Sequence, residues 1–189
     1  MKKTAIIAIA GLASVASAQS HLLEIDLSVV DQVTITATNG VAANSASGSD
    51  FTGFLMADFY GAAGGAALIN TLVGGDLTQA NNDSDGTPAL FRGGSDSGLN
   101  MWSMSNDDPI TFTAGSLAFT GSATWDLDPA AYADMTNGNL SGDIYAGADT
   151  DDDISAATFV GSWSVLTVPA PSGLALLGLG GIVAGRRRR

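Results

Sequence analysis

Residues 117–127 read Leu-Ala-Phe-Thr-Gly-Ser-Ala-Thr-Trp-Asp-Leu, and every second residue from Leu117 to Leu127 is apolar or glycine. Strand side chains point alternately to the two faces of a sheet, so a period of two predicts one buried face and one wet face. Gly121 interrupts the apolar series, and we expect a bend or a close approach of another strand there. The stretch predicts a half-buried β-strand.

The same alternation recurs along the chain. Two runs nearer the N-terminus carry their apolar residues at Leu23, Ile25, Leu27 and Val29, and then at Val33, Ile35 and Ala37. Further strand candidates are residues 54–60, 67–73, 89–92, 99–103, 110–113, 143–145 and 158–168. Turn signals such as Asn39-Gly40 and Gly74-Gly75 separate these runs. We expect roughly eight to ten short strands in an all-β fold, an antiparallel β-sandwich or jelly roll.

One short helix is predicted after residue 127. Asp128 is a suitable N-cap, and Pro129 suits the first helical position because its missing N–H has no partner there in any case. Asn137-Gly138 provides the stop signal after Met135.

Residues 1–18 have the pattern of a secretory signal peptide. Lys2 and Lys3 precede an apolar stretch over residues 5–15, and Ala16-Ser17-Ala18 places small residues where signal peptidase requires them. We expect signal peptidase to cut after Ala18, so that the mature domain is residues 19–167.

Residues 168–189 form a second signal at the other end. Val168-Pro169-Ala170-Pro171 is followed by residues 173–185, which carry no charge, and by the cluster Arg186 to Arg189. As a helix, residues 173–185 would rise about 20 Å, against a hydrocarbon core of about 30 Å. This predicts a short transmembrane segment that enters the inner membrane transiently, with the arginines on the cytoplasmic side.

The order of these features resembles the C-terminal sorting signal of PEP-CTERM proteins. That family has Val-Pro-Glu-Pro, a span rich in leucine and small residues, and an arginine cluster; this chain departs from it at Ala170. The resemblance covers residues 168–189 only. It implies processing by an exosortase-like transpeptidase, with Val168, Pro169, Pro171, Arg186, Arg187, Arg188 and Arg189 as the recognition residues. It also implies a destination at the cell surface, outer envelope or extracellular matrix of a bacterium that makes exopolysaccharide.

The body between the two signals is strongly acidic. It holds all nineteen acidic residues of the chain and a single basic residue, Arg92, which gives a formal charge of −18. Such a surface repels nucleic acid, which we exclude as a partner. The chain has no cysteine and one histidine, His21, which we expect to lie exposed on a loose terminus. These absences remove thiolate sites, histidine-based triads and multi-histidine zinc sites.

Two acidic clusters are candidate calcium ligands. Asn81, Asp83 and Asp85 occupy positions one, three and five of a loop whose sixth residue is Gly86. The glutamate expected at the twelfth position is replaced by Arg92. The second cluster, Asp149, Asp151 and Asp153, repeats the spacing without the glycine. The alternative for both clusters is a solvated acidic turn that binds no metal. Calcium is the only candidate cofactor that the sequence indicates.

Tryptophan and arginine complete the candidate residues. Trp125 and Trp163 fall on the apolar phase of their strands and are predicted to pack in the core. Trp102 is the candidate for stacking on a sugar ring. Arg92 predicts a structural ion pair, with the gripping of an anionic ligand as the alternative.

Taken together, these features predict an exported bacterial protein with a non-enzymatic structural or binding role. One alternative is a carbohydrate-binding module acting in extracellular polysaccharide. The other is a glycan-cleaving enzyme, which requires two facing carboxylates roughly 5–9 Å apart.

Overall fold

The computed structural model describes residues 20–49, 52–65, 67–81, 87–92, 97–102, 109–147 and 154–167. The signal peptide and the tail after residue 167 lie outside these ranges. About half of the structure is β-strand, with one short α-helix, so the predicted all-β class is confirmed. No helix in the described ranges is long and apolar enough to span a membrane.

Thirteen strands, one α-helix and one short 3-10 helix lie in the described ranges. The elements in chain order are β1 (His21–Asp26), β2 (Gln32–Ala37), β3 (Ala46–Gly48), β4 (Phe54–Met56), β5 (Asn70–Gly75), β6 (Thr78–Gln79), β7 (Ala89–Phe91), β8 (Leu99–Trp102), β9 (Ile110–Phe112), β10 (Phe119–Thr120), β11 (Ser122–Leu127), α1 (Pro129–Thr136), β12 (Ser141–Ala146), the 3-10 helix (Ile154–Ala156) and β13 (Thr158–Thr167).

Nine of the strands form one large sheet. Its order is β5-β11-β2-β1-β13-β12-β4-β8-β7, which puts β13 in the middle with four strands on either side. The neighbours β1 and β13 are parallel, and the other ladders of this sheet are antiparallel. The first and last strands of the body are therefore neighbours that run in the same direction.

The predicted alternation holds in β1, β2 and β11. Ala123, Trp125 and Leu127 are buried while the residues between them face outward, and Gly121 has a positive φ of 80° where its backbone passes Asp76. The apolar series around β1 ends earlier than predicted. Val29 is 55 % exposed because the chain turns after Leu27.

Two small sheets, β10-β6 and β3-β9, cover the inner face of the large sheet. Their rings meet the ring of Phe54 on β4: the centroid of Phe119 lies 5.0 Å away and that of Phe112 lies 6.4 Å away. Both rings are almost fully buried. The core therefore lies between the large sheet and the two small ones.

The large sheet also curves round this core. The side chain of Asn70, on the outermost strand β5, donates a hydrogen bond of 3.0 Å to the carbonyl of Leu90 on β7, at the opposite edge. Thr87 donates to the carbonyl of Gly75 at 3.2 Å, and the Trp125 indole donates to Pro88 at 3.2 Å. Side chains thus bridge the two edges of the sheet.

Helix α1 forms at the predicted position and buries Ala131, Tyr132 and Met135. The Asp128 carboxylate accepts a 2.8 Å hydrogen bond from the Ala130 N–H, and Pro129 is the first helical residue. Asn137 is the C-cap. The Tyr132 hydroxyl donates to the carbonyl of Leu27 at 2.7 Å and ties the helix to the end of β1.

Candidate functional site

The structure describes only one of the six predicted calcium ligands. The Asn81 side-chain amide donates a 2.9 Å hydrogen bond to the carbonyl of Thr111. Asp83, Asp85, Asp149, Asp151 and Asp153 lie outside the described residues. In the ranges that are described, no three histidine, cysteine or acidic side chains come together as a metal site. Calcium binding stays a prediction.

The processing residues also fall outside the structure. These are Ala16, Ala18, Val168, Pro169, Pro171, Arg186, Arg187, Arg188 and Arg189. The structure does place the strands that flank them. Strand β1 begins three residues after Ala18, and β13 ends at Thr167, next to Val168.

The outer face of the large sheet presents many polar side chains on β2, β11, β12 and β13. Small hydroxyl residues follow one another across neighbouring strands, since β2, β11, β12 and β13 all turn serine or threonine outward. Thr34 bonds Thr124 at 2.8 Å, and Thr36 bonds Ser122 at 2.8 Å. These paired hydroxyls satisfy each other and lie side by side on the outer face.

A shallow groove crosses this face around His21. On one side lies a depression of about 470 Å³ over β12 and β13, lined by His21, Ser141, Gly142, Asp143, Ser162, Trp163 and Ser164. On the other side lies one of about 270 Å³ that reaches Glu24 and Asn39. We call this the His21 groove. Its lining includes hydroxyls, carboxylates and one imidazole, groups that bind polar, hydroxyl-bearing molecules, together with Trp163, Asn39 and two glycines.

His21 itself differs from the expectation of a loose terminus. It is the first residue of β1, it pairs with Ser162 of β13, and its side chain is only 20 % exposed. Its Nε2 lies 3.3 Å from the Ser164 hydroxyl and 3.9 Å from a Glu24 carboxylate oxygen. A hydrolytic relay needs the serine and the acid on different ring nitrogens. Because both partners face the same nitrogen, the group forms a polar cluster without a catalytic relay.

Beside the groove lies a pair of aromatic rings. Tyr145 of β12 and Phe159 of β13 are half-buried cross-strand partners with centroids 6.0 Å apart. The Tyr145 hydroxyl donates to the Asp143 carboxylate at 3.5 Å. Partial burial, and then the charge of Asp143, raises the pKa of this phenol. No local sequence pattern indicates this pair, because the two rings lie fourteen residues apart in the chain and only the β12–β13 register joins them.

The predicted structural ion pair of Arg92 is confirmed. Its guanidinium, only 4 % exposed, donates to the Asp134 carboxylate of α1 at 2.7 Å. It also stacks on the Tyr60 ring, with Cζ 3.7 Å from the centroid. Gly65 approaches so closely that a Cβ there would meet Arg92 and Asp134. The cation is thus held by groups of the protein itself, beside a depression of about 440 Å³.

The tryptophans are placed largely as predicted. Trp125 and Trp163 are buried, and the Trp163 ring packs on Phe59 at 4.9 Å. Trp102 ends β8 and is half-buried. These rings do not form a shared exposed platform, whereas Tyr145 and Phe159 form a half-buried aromatic pair beside the His21 groove. Comparison of the chain with protein-family models, with curated proteins and with solved structures returned no match.

Proposed function

We propose that this protein is an exported cell-surface or extracellular-matrix protein with a non-enzymatic structural or binding role. In this proposal signal peptidase removes residues 1–18, and residues 168–189 hold the chain in the inner membrane. An exosortase-like transpeptidase then processes the tail and releases the body to the cell exterior.

The observation that carries this proposal is the position of the two signals relative to the fold. The large sheet begins at His21 and its last strand ends at Thr167. Every strand in the described ranges therefore lies between the signals, and cleavage after Ala18 or beyond Val168 leaves their ladders complete. This arrangement suits a domain that is cut at both ends.

The non-enzymatic role is supported by the state of the two residues best suited to catalysis. His21 has both polar partners on one nitrogen, and Arg92 is occupied by Asp134 and Tyr60. A glycan-cleaving enzyme stays the less favoured alternative.

The test compares the full chain with a variant ending at Thr167 and with a variant in which Arg186 to Arg189 are serine. We expect the full chain to appear first in the inner-membrane fraction and later outside the cell at a lower mass. The chain ending at Thr167 should bypass the membrane fraction. Identical fractions and masses for all three chains would contradict the sorting proposal.

We also propose that the architecture is a β-sandwich or jelly roll, finer than the all-β class. The packing of Phe112 and Phe119 onto Phe54 supports two facing layers, with the small sheets as the second layer. The parallel contact between β1 and β13 departs from the purely antiparallel arrangement expected from the sequence.

A second candidate function is binding of extracellular polysaccharide in the His21 groove. The pair Tyr145 and Phe159 favours it, because aromatic faces beside hydroxyl and carboxylate groups suit sugar rings. A glycan array probed with the wild type and with Tyr145→Ala tests this. Phe91→Ala is the control, since Phe91 is an exposed aromatic on the distant strand β7. Equal glycan binding by Tyr145→Ala and wild type would count against the groove.

A further inference from the structure

The exposed apolar side chains are concentrated at one end of the large sheet. Six large apolar residues in the described ranges are more than half exposed, and five of them lie at the same end: Val29 (55 %), Val30 (68 %), Ile69 (63 %), Leu140 (62 %) and Leu166 (56 %). We call these five the apolar rim. The sixth, Val73, lies within β5.

The strand register shows that these residues share one end. Val29 and Val30 form the turn between β1 and β2, and the last residue of β1, Asp26, pairs with Thr167 at the end of β13. Leu166 precedes Thr167, and the carbonyl of Leu140 accepts a 2.8 Å hydrogen bond from the Val165 N–H.

Ile69 joins the same end from β5. Asn70, the next residue, pairs with Leu127 at the end of β11, and the carbonyl of Ile69 accepts a 3.0 Å hydrogen bond from the Asp128 N–H. The Leu127 N–H in turn donates 2.8 Å to the carbonyl of Asp31, which follows the Val29–Val30 turn. The rim therefore spans the sheet from β5 to β12.

The tail leaves the body at this end. Thr167 is followed by only five residues before the uncharged stretch 173–185 begins. Even fully extended, the chain from Thr167 to Gly173 spans at most about 20 Å. If residues 173–185 enter the bilayer, Thr167 must lie within that distance of the lipid surface, and Leu166 of the rim lies next to it.

We propose that the apolar rim docks on the outer surface of the inner membrane while the tail is inserted. This rests on the proposed anchoring by residues 173–185. The tail supplies a high effective concentration, so weak apolar contacts are sufficient. Val29 and Val30, at the tip of a turn, enter the interface, and Ile69, Leu140 and Leu166 lie along it. The body then stands on the membrane with its β-strands raised from the surface.

The charges around the rim identify the lipid. Asp26, Asp31, Asp126 and Asp128 lie at the same end of the sheet and repel an anionic surface. The partner is therefore a zwitterionic lipid surface, and anionic lipid weakens the contact.

The chain has no cysteine, so one introduced cysteine gives a single labelling site. The chain of residues 19–189, which lacks the apolar signal peptide but keeps the tail, carries Val30→Cys; it is labelled with an environment-sensitive fluorophore and reconstituted in phosphatidylcholine vesicles that carry nitroxide-labelled lipid. Leu117→Cys is the matched control. Leu117 is another exposed apolar residue, but it forms a β-bridge with Val41 at the opposite end of the sheet. We expect the lipid nitroxide to quench the Val30 probe and not the Leu117 probe, and phosphatidylglycerol in the vesicles to reduce the quenching.

Vesicle flotation tests anchoring by the tail separately from docking of the apolar rim. A chain that floats without quenching at Val30 overturns docking of the rim and leaves the anchoring intact. Equal quenching at Val30 and Leu117 also overturns it, because the body would then have no preferred face. A chain that does not float contradicts the anchoring by the tail and the docking with it.

Discussion

The phenol of Tyr60 is buried beneath the Arg92 guanidinium, and its Oη has no hydrogen-bond partner among the described residues. Burial raises the pKa of Tyr60; the Arg92 charge opposes this and the Asp134 charge adds to it. Because the folded-state pKa lies above the ordinary value of about 10, the native state retains a proton that the unfolded chain loses. The contribution of Tyr60 to the free energy of unfolding is therefore constant below pH about 10 and falls as the pH rises further.

Tyr60→Phe should remove part of this alkaline loss. The ring remains over Arg92 and the unsatisfied hydroxyl is deleted, so we expect equal stability at pH 7, or a gain of up to about 1 kcal/mol. Above pH 10 the variant should exceed the wild type by a growing margin. Urea unfolding at pH 7 and at pH 10.5 measures both. Parallel pH profiles for the two proteins would show that Tyr60 does not carry the effect.

Gly142 tests the packing behind the His21 groove. A Cβ at this position would lie 2.7 Å from the carbonyl oxygen of Ala57 and 2.8 Å from the Trp163 ring. Gly142→Ala should lower the free energy of unfolding by about 1–3 kcal/mol. Gly74→Ala is the control, since nothing lies within 4 Å of a Cβ there. A Gly142→Ala protein as stable as Gly74→Ala would contradict this packing.

The ion pair of Arg92 can be tested with matched substitutions on one helix. Asp134→Asn should cost about 2 kcal/mol, because the buried guanidinium loses its charged acceptor. Asp128→Asn makes the same charge change but should be nearly neutral, since asparagine caps a helix as well as aspartate does. Thermal melts of the two variants distinguish the pair from a general effect of charge. Equal melting temperatures would mean that the ion pair contributes little.

At the level of elements, β13 joins the two halves of the large sheet. It pairs with β1 on one side and β12 on the other, so its removal leaves two groups of four strands that no backbone ladder joins. A chain of residues 19–157 should lose its cooperative melt and its near-ultraviolet circular dichroism, whereas a chain of residues 19–167 should keep both. A peptide of residues 158–167 should restore them in the shorter chain. Cooperative unfolding of residues 19–157 alone would contradict this role.

The elements differ in how far the sequence predicts them. β1, β2 and β11 each have six residues, enough to display a period of two, and all three were predicted from alternation. β3 and β6 have three and two residues, show no period and were not predicted. The predicted strand 117–127 is divided at Gly121 into β10 and β11. Helix α1 was predicted because Asp128, Pro129 and Asn137 are local signals.

The order of the strands in the sheet could not be predicted from the sequence. Neither β1 nor β13 carries a residue that names the other as its neighbour, because strand pairing depends on packing between distant segments. His21 shows the consequence: its place near the mature N-terminus suggested a loose residue, yet pairing with Ser162 orders it. The burial of Trp125 and Trp163 was predicted correctly, because it follows from their phase within single strands.

For the whole molecule, the prediction to test is calcium binding, because the acidic body attracts divalent cations. Calcium should raise the melting temperature relative to a chelator. When the calcium concentration is a hundred times the dissociation constant, binding adds about 2.7 kcal/mol to the free energy of unfolding. Sodium chloride of equal ionic strength is the control, because screening of the charge of −18 also stabilises. Asp83→Asn with Asp85→Asn should remove the difference if the first cluster binds the ion, and Asp151→Asn with Asp153→Asn should remove it if the second does. Equal midpoints in calcium and in the control would exclude a native-state site.

The parallel pairing of β1 with β13 has a mechanical consequence. The two strands run side by side from opposite ends of the chain, and their ladder extends from His21 opposite Ser162 to Asp26 opposite Thr167. A pull on residue 20 against residue 167 draws the strands past each other along their length. The hydrogen bonds between them are then loaded together in shear, and cannot open one after another as in a zipper. Anchored at its tail and tugged at its other end, the body would resist extension through its central seam.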